Sequence, residues 1–359
     1  MTTIPQTQKA WRVVRSGTPA HALELCNDTP VLDDLPEGHV LVQIKTAALN
    51  PVFIADRYSG YRLMGLLPNF LQKRPITAEY DFAGVIVKQN GAPFSVGDNV
   101  FGQIPANGSY PNRGQGALAQ YIAIEAKQLA RKPDSVTWEE AAGLTLVGRT
   151  AIDGLIDMAQ IKHGQHVFVN GGSSSVGLVA IQIAKAYGCT VTTSCSGRNT
   201  DLVKRYGADE VVDYTVSLPH ERFKKNPPSQ LFDVILDAVG GNEGLYLNSG
   251  SYLKNEGRFI GTVPPGTGGS PSLRSGLKAS LVILRAYLQP RFLGGPHHKL
   301  EVCWTRPDGR AMPLLEKLVA EGKIRGAVDS VYPFSDVLKA YDRIMTGHAS
   351  GKVVVQVDV

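Results

Sequence analysis

The stretch from residue 166 to residue 193 constrains the fold more than any other part of the chain. An apolar strand candidate, residues 166–169, is followed by a helical pattern of apolar residues, 178–187, and by a β-branched strand candidate, 190–193. A strand, a helix and a strand in this order make a βαβ unit, which requires a parallel sheet. The alternation continues to about residue 305, with strand candidates at residues 210–212, 234–236 and 258–260. We therefore predict an α/β fold with a doubly wound parallel sheet.

A glycine and serine loop joins the first strand to the helix, with the sequence Gly171-Gly172-Ser173-Ser174-Ser175-Val176-Gly177. At such a junction, backbone N–H groups at the helix N-terminus bind the pyrophosphate of a dinucleotide, and small residues let the phosphates approach. The loop keeps the first and last glycines of the GxGxxG pattern and has Ser174 in place of the middle one. A tight turn with serine caps is the alternative. The alternating strands and helices around the loop favour cofactor binding.

The end of the next strand selects the cofactor, because an acidic side chain there binds the free 2′-hydroxyl of NADH and repels the extra phosphate of NADPH. The sequence at this place, Ser194-Cys195-Ser196-Gly197-Arg198-Asn199, contains no acid. Hydroxyl groups beside a guanidinium, which has several donors and a permanent charge, suit a 2′-phosphate. We expect this segment to bind NADPH through Ser194, Ser196, Arg198 and Asn199. The alternative is that Arg198 is an ordinary surface charge.

The first third of the chain has a different pattern. Short strand candidates between turns fill residues 11–131, which predicts a compact all-β unit. Near Pro133 the pattern changes, and Ser135 or Thr137 is expected to cap a helix whose first turn is acidic.

The end of the chain predicts two helices and a last strand, which returns to the first domain; the segments are residues 312–322, 336–345 and 353–355. The 359 residues are therefore expected to form two domains, one of residues 1–135 and 306–359 and one of residues 136–305.

Charge and cysteine content exclude several classes of protein. The net charge is +5 and the pI is near 8.9, but basic and acidic residues alternate, so no nucleic-acid partner is expected. No apolar run is long enough to cross a bilayer, and residues 1–9 lack a secretion signal, so we predict a cytoplasmic protein without an integral membrane segment. The cysteines lie far apart, without the spacing of a structural zinc site; they are Cys26, Cys189, Cys195 and Cys303.

Seven motifs, taken in their order and spacing, resemble those of one enzyme family. They are Ala48-Leu49-Asn50-Pro51, Asp81-Phe82-Ala83-Gly84-Val85, Val96-Gly97-Asp98-Asn99-Val100-Phe101-Gly102, Gly116-Ala117-Leu118-Ala119-Gln120-Tyr121, the glycine and serine loop, Tyr206-Gly207-Ala208-Asp209 and Ala349-Ser350-Gly351-Lys352-Val353-Val354-Val355. From about residue 10 to its end, the chain resembles a zinc-free medium-chain dehydrogenase/reductase of the quinone oxidoreductase and enoyl reductase branch. The resemblance implies a GroES-like catalytic domain interrupted by a Rossmann domain, with an active site in the interdomain cleft. It also implies a homodimer, or a higher assembly, built on the Rossmann domains.

The resemblance also bears on metal binding. Zinc-dependent relatives have a Cys where Asn50 stands and a Gly-His-Glu where this chain has Glu79-Tyr80-Asp81, and their four-Cys lobe has no counterpart here. Tetrahedral zinc needs Cys, His or carboxylate ligands, and Asn50 with Tyr80 cannot supply two of them. We therefore expect no metal.

The absence of a metal selects the chemistry. Alcohol oxidation without a Lewis acid loses its main source of oxyanion stabilisation, whereas a conjugated alkene already carries a carbonyl that directs the hydride. The expected function is NADPH-dependent hydride transfer to an activated C=C bond or a quinone. The substrate is then a small hydrophobic conjugated carbonyl compound or quinone, either free or linked as a thioester. A zinc-independent alcohol or polyol dehydrogenase and a non-catalytic NADPH-binding protein are the alternatives.

Four side chains are candidates for the catalytic site. Tyr58, Tyr61 and Tyr80 could donate a proton or bind a carbonyl through their hydroxyls, and Asn50 could do so through its amide. The alternative for the tyrosines is that they are half-buried packing residues.

The resemblance implies further cofactor contacts. They are Thr145 and Thr150 at the nicotinamide riboside, Tyr214 beside the adenosine, Val239 and Gly240 at the ribose, Thr262 and Val263 beside the carboxamide, and Lys352 of the closing motif. Their ordinary alternatives are a helix cap, a core aromatic residue and strand-to-helix turns.

The segment of residues 264–300 is the least similar to the family. It carries an apolar stripe at helical spacing, formed by Leu277, Leu281, Leu284 and Leu288. We expect this stripe to pack in the core or in a dimer. A lid over a hydrophobic substrate and a helix lying on a membrane surface are the alternatives.

Overall fold

The computed structural model describes residues 4–15, 17–51, 75–105, 114–240, 243–262, 284, 297–303 and 308–358. The chain divides into two compact units, Met1–Leu146 with Arg306–Val359 and Val147–Thr305. Tyr58, Tyr61 and Val263 lie outside the described residues, as does most of the stripe predicted between residues 264 and 300. Leu284, which belongs to that stripe and is described, is exposed.

The described strands are β1 (Thr7–Val13), β2 (Leu23–Pro30), β3 (His39–Ala48), β4 (Ile76–Thr77), β5 (Asp81–Asn90), β6 (Asn99–Gln103), β7 (Tyr121–Glu125), β8 (Leu129–Arg131), β9 (His166–Asn170), β10 (Thr190–Cys195), β11 (Glu210–Asp213), β12 (Phe232–Asp237), β13 (Leu253–Gly261), β14 (Leu300–Val302), β15 (Val328–Pro333) and β16 (Lys352–Gln356). The described α-helices are α1 (Pro19–Ala22), α2 (Trp138–Ala142), α3 (Thr145–Ile152), α4 (Ser175–Ala186), α5 (Thr200–Arg205), α6 (Pro219–Lys225), α7 (Glu243–Leu247), α8 (Met312–Ala320) and α9 (Val337–Met345). A π-helical segment, Asp153–Met158, follows α3.

Two sheets form the framework of the first unit. The smaller has the order β2-β1-β4; the larger has the order β15-β16-β3-β5-β6-β8, and β7 also pairs with β3. Their core is apolar and fully buried, with Ile44 of β3, Phe82 of β5 and Val355 of β16 among its members. Because β16 pairs antiparallel with β3, the last described strand belongs to this unit.

The helix α2 belongs to the first unit as well. Thr137 caps it in a capping box, in which the Thr137 hydroxyl accepts the Glu140 N–H at 3.2 Å and the Glu140 carboxylate accepts the Thr137 N–H at 3.0 Å. The Gln356 side chain of β16 donates to Glu139 at 2.9 Å, and Arg325 forms an ion pair with Glu140 at 3.0 Å. These contacts extend the first unit beyond residue 135.

The second unit is built on one parallel sheet with the order β11-β10-β9-β12-β13-β14. This is the strand order of a doubly wound dinucleotide-binding sheet. All five residues of β9 are buried, as expected of a central parallel strand covered on both faces. An aromatic cluster that includes Phe168, Phe223 and Phe232 fills part of the core. The prediction of a doubly wound parallel sheet is confirmed.

Candidate active site

The glycine and serine loop lies at the carboxyl end of β9, where it leads into α4. Gly171 has a φ of 78° and its Cβ would overlap Val239, while a Cβ at Gly177 would overlap the carbonyl oxygen of Gly171. Only glycine fits either position, since the obstacle at Gly177 is backbone and Gly171 has a left-handed conformation. The loop therefore holds strand and helix at close approach.

Ser174 caps the N-terminus of α4. The Ser174 hydroxyl accepts the Gly177 N–H at 3.0 Å, which makes Ser174 the N-cap and starts the helix earlier than the apolar pattern predicts. The N–H groups of Ser173, Ser175 and Val176 have no acceptor among the described residues. Unsatisfied donors at a helix N-terminus favour a phosphate group, so this loop fits a dinucleotide pyrophosphate.

A buried hydrogen-bonded chain supports the loop from below. The Ser194 hydroxyl accepts the Gly171 N–H at 2.9 Å and donates to Asn170 Oδ1 at 2.6 Å, and Asn170 Nδ2 donates to Asp237 Oδ1 at 2.8 Å. Asp237 Oδ1 also accepts the Gly240 N–H at 3.0 Å. Burial raises the pKa of Asp237, which these hydrogen bonds oppose. Ser194 thus orients the loop from beneath, and Asp237 orients the turn at Gly240.

Asn170 and Asp237 are not among the residues that the sequence analysis selected. Each is the last residue of its strand, and β9 and β12 are neighbours in the sheet, with Asn170 directly opposite Asp237. Polar residues that end adjacent parallel strands meet at one edge of a sheet. That signal was present in the sequence.

The segment after β10 carries the predicted 2′-phosphate contacts. The Ser196 hydroxyl is buried and has no hydrogen-bond partner in the described part of the chain. Arg198 is exposed, and no ion pair joins it to another described residue. Asn199 is half-buried beside it. A buried hydroxyl and an unengaged guanidinium are groups that a phosphate could satisfy.

An acid that the sequence analysis did not consider lies close to this segment. Asp213 ends β11, opposite Cys195 of β10, and its carboxylate accepts the Thr215 N–H at 2.9 Å and the Thr215 hydroxyl at 2.6 Å. Hydrogen bonds from Thr215 and from the Gly197 N–H hold the pKa of Asp213 below its usual value. The carboxylate therefore orients the turn that carries Arg198.

The other predicted cofactor residues have varied surroundings. Tyr214 and Val239 are exposed, and Gly240 has a φ of 64°. Thr262 donates to the carbonyl oxygen of Asp237 through its N–H at 2.9 Å and its hydroxyl at 3.2 Å. Thr150 is buried in α3.

A buried polar cluster occupies the first unit. Lys352 Nζ donates to Asn50 Oδ1 at 2.7 Å and to Asp81 Oδ2 at 2.9 Å, and Asp81 Oδ1 accepts the Leu146 N–H at 3.1 Å. Lys352 and Asp81 are both almost fully buried, at 3% and 0% exposure of their side chains. A Cβ at Gly143 would lie 3.2 Å from Lys352 Cγ, so the glycine leaves room for this side chain. The sequence predicted Asn50 and Lys352 as site residues, and the structure brings the two together.

Glu79 completes the cluster. The sequence analysis considered it only as part of the segment that replaces a zinc-binding motif, and not as a site residue. Its Oε2 accepts the Asn50 N–H at 3.1 Å and the Asn50 amide Nδ2 at 3.2 Å, and its Oε1 accepts the Tyr341 hydroxyl at 2.8 Å. Burial raises the pKa of Glu79 from 4.5 to about 8, against the hydrogen bonds from Tyr341 and Asn50 and the charge of Lys352. Glu79 therefore carries a proton at neutral pH.

Two predicted site residues are already engaged within the first unit. The second N–H of the Asn50 amide donates to the carbonyl oxygen of Ala48 at 3.2 Å, so both N–H groups of the amide are bonded within the chain. Tyr80 packs in the apolar core with Phe82 and Ile104. The Thr145 hydroxyl, in contrast, is buried without a hydrogen-bond partner among the described residues.

Metal and membrane criteria give two further findings. In the ranges that the structure covers, no three His, Cys, Asp or Glu side chains are grouped so that they could hold a metal ion. Nor is any helix in those ranges long and apolar enough to span a bilayer.

The doubly wound sheet with a glycine-rich strand-to-helix loop defines the second unit as a Rossmann dinucleotide-binding domain. Family models agree: the alcohol dehydrogenase GroES-like domain matches residues 36–134, and the zinc-binding dehydrogenase family matches residues 206–355. The chain belongs to the medium-chain dehydrogenase/reductase family, in the branch of the enoyl reductases and quinone oxidoreductases. A GroES-like domain, a nicotinamide cofactor and a small-molecule substrate follow from that membership.

Individual relatives support this assignment. The trans-enoyl reductase pgmF of Aspergillus terreus is 32% identical over 377 residues, which cover 99% of this chain and 98% of the relative. The zinc-type alcohol dehydrogenase-like protein C16A3.02c of Schizosaccharomyces pombe is 31% identical over 98% of this chain and 97% of its own. The solved quinone oxidoreductase from Coxiella burnetii has a TM-score of 0.76 at 26% identity, covering 98% of this chain and all of that one. The predicted family resemblance is confirmed.

Proposed function

We propose that the protein is an NADPH-dependent reductase of activated C=C bonds or quinones that works without zinc. The observation that carries the proposal is the position of the Lys352 ammonium, bonded to Asn50 and Asp81. Asn50 stands where zinc-dependent relatives have a Cys ligand. An ammonium group there repels a divalent cation, and an amide oxygen is a poor zinc ligand.

The proposed preference for NADPH rests on the segment after β10. Ser196 and Arg198 offer a hydroxyl and a guanidinium that have no partner among the described residues. The nearby acid, Asp213, already accepts two hydrogen bonds from Thr215. Because Asp213 is engaged in this way, Arg198 remains available to a 2′-phosphate.

The proposed division of labour follows from these contacts. When bound, NADPH supplies the hydride for the conjugated bond. The loop at residues 171–177 binds the pyrophosphate through its backbone N–H groups, and Arg198 binds the 2′-phosphate. Lys352 has one N–H without an acceptor in the described part of the chain and contacts the cofactor, as the family resemblance implies. Tyr58 and Tyr61 stay as predicted proton donors.

The proposal is tested by NADPH consumption with 2-enoyl thioesters, 2-alkenals and quinones as acceptors. At least one acceptor class should accelerate NADPH oxidation, and a metal chelator should leave the rate unchanged. NADPH binding without turnover for every acceptor would instead favour a non-catalytic binding protein. Oxidation of ethanol or sorbitol together with bound zinc would instead favour an alcohol dehydrogenase. The name of the S. pombe relative describes it as alcohol dehydrogenase-like.

The cofactor preference has its own test. Arg198→Ala should weaken NADPH binding about tenfold or more, the effect of losing a charge-assisted hydrogen bond, and leave NADH binding unchanged. Arg205→Ala is the matched control, because Arg205 is also an exposed arginine of the second unit but lies at the far end of α5. Equal losses for both cofactors in Arg198→Ala would contradict the assignment.

The homodimer and the cytoplasmic location belong to the same proposal. They are expected from the resemblance and the sequence. Size-exclusion chromatography with light scattering measures the first, and fractionation of cells measures the second.

A further inference from the structure

Glu79 combines two unfavourable features in one residue. Its φ is 66°, a left-handed conformation that non-glycine residues rarely adopt; among the described non-glycine residues only Gln160 shares this feature. Its carboxyl group is buried, with the residue 1% exposed. A glycine, which zinc-dependent relatives have at this position, would adopt the same backbone without strain and without a buried carboxyl group. Strain that persists at one residue points to a function for its side chain.

The side chain of Glu79 is directed at a single neighbour. Two of its three hydrogen bonds come from Asn50, one from the backbone N–H and one from the amide. Both contacts involve Oε2, so this oxygen fixes the backbone and the side-chain rotation of Asn50 together. The third bond, from the Tyr341 hydroxyl to Oε1, fixes the carboxyl plane of Glu79.

The rotation of the Asn50 amide in turn determines which amide atom faces the Lys352 ammonium. With Nδ2 turned to Glu79, the amide presents Oδ1 to the Lys352 ammonium at 2.7 Å. The opposite rotation would turn an N–H group toward the cation, which is repulsive. Asp81 holds a second N–H of the ammonium at 2.9 Å, and together the two acceptors direct the third N–H.

We propose that Glu79 is a positioning residue that holds Lys352, through Asn50, in the orientation that contacts the nicotinamide cofactor. The inference rests on the proposed function only in assigning Lys352 to the cofactor. It requires no bond to form or break. It requires only that a neutral side chain at position 79 can accept the hydrogen bonds from Asn50 and form a hydrogen bond with the hydroxyl of Tyr341. Gln meets this requirement and Ala does not.

NADPH affinity of the full-length protein, measured by fluorescence titration, tests the inference. Glu79→Ala should raise the Kd for NADPH about tenfold, whereas Glu79→Gln should stay within about threefold of the wild type. Asp98→Asn is the control for lost stability, because Asp98 is a partly buried acid of the same unit that accepts the Ser95 N–H at 2.9 Å and is not part of the cluster. Its Kd should not change. A loss in Glu79→Gln as large as in Glu79→Ala would overturn the inference.

A double-mutant cycle separates positioning from a general structural role. In a Lys352→Gln background, Glu79→Ala should cause no further loss of NADPH affinity, because both changes act on the same group. Equal losses in the two backgrounds would show that Glu79 acts elsewhere.

Hydrogen exchange provides a readout without cofactor and without the Lys352 variant. The Asn50 amide N–H should exchange faster in Glu79→Ala and at the wild-type rate in Glu79→Gln. Unchanged exchange in Glu79→Ala would overturn the inference. Failure of every acceptor to be reduced would refute the reductase activity alone, because dinucleotide binding does not depend on the acceptor.

Discussion

Replacing Glu79 with Gln is expected to stabilise the protein, and increasingly so as the pH rises from 5 to 8. Burial raises the pKa of Glu79 from 4.5 to about 8, so between these values the folded protein keeps a proton that the unfolded chain releases. Stability falls with rising pH wherever the folded state binds more protons. The contribution of Glu79 is therefore fully present below pH 4.5 and is lost as the pH approaches 8.

The magnitude follows from the size of the shift. Each unit of pKa difference corresponds to about 1.4 kcal/mol, so the whole rise amounts to about 5 kcal/mol of stability, which is lost in full once the pH has risen through the folded-state value of about 8. Gln does not titrate and, like the protonated acid, it keeps an oxygen that can accept both hydrogen bonds from Asn50. The variant should thus gain on the wild type by about 1.4 kcal/mol for each pH unit in this range.

Unfolding measured at pH 5, 6, 7 and 8 for both proteins provides the assay. Asp329→Asn is the control, because the pKa of Asp329 is shifted in the opposite direction to that of Glu79. Burial acts to raise the pKa of Asp329, but hydrogen bonds from Arg343, Ser350 and Ser330 keep it below its usual value. The control should therefore be destabilised by a constant amount over this range. A constant gap between Glu79→Gln and the wild type would mean that Glu79 is ionised in the folded protein, and the reasoning would be refuted.

Three further changes test the second unit and the helix cap. Gly177→Ala should weaken NADPH binding by about tenfold or more, because the new Cβ would overlap the Gly171 carbonyl oxygen; circular dichroism checks that the protein still folds. Ser196→Ala should reduce the preference for NADPH over NADH about tenfold without lowering the melting temperature, since the hydroxyl has no partner among the described residues. Thr137→Ala should cost about 1 kcal/mol of stability by removing the capping box, with the NADPH Kd unchanged.

The cofactor loop could be predicted because its determinants are local. The strand, the loop and the helix are consecutive in the sequence, and the helix cap that the structure shows, Ser174, lies within the predicted loop. The requirement for glycine at position 177 also follows from a neighbour six residues away, the carbonyl oxygen of Gly171. Asp213 was overlooked because only the end of β10 was considered, although the parallel register sets it opposite Cys195.

The cluster around Lys352 could be predicted only in part, because its members come from distant parts of the chain. Asn50 and Lys352 are 302 residues apart, and Glu79 and Tyr341 are 262 residues apart. The family motifs predicted Asn50 and Lys352 as site residues. No local sequence pattern predicts that Glu79 is buried with a positive φ. Local propensity disfavours both features, so tertiary contacts decide them.

The charges of the cluster help to explain why the pKa of Glu79 is raised. A buried carboxylate needs a directly bonded cation, and Lys352 bonds Asp81 at 2.9 Å. Glu79 accepts hydrogen bonds only from neutral groups, two from Asn50 and one from Tyr341. Lys352 is not hydrogen-bonded to Glu79 and lowers its pKa only through its charge. One ammonium cannot balance two buried carboxylates, so the second acid is held neutral. A neutral Glu79 leaves the charge of Lys352 balanced by Asp81 alone, and it acts on that cation only through the orientation of Asn50.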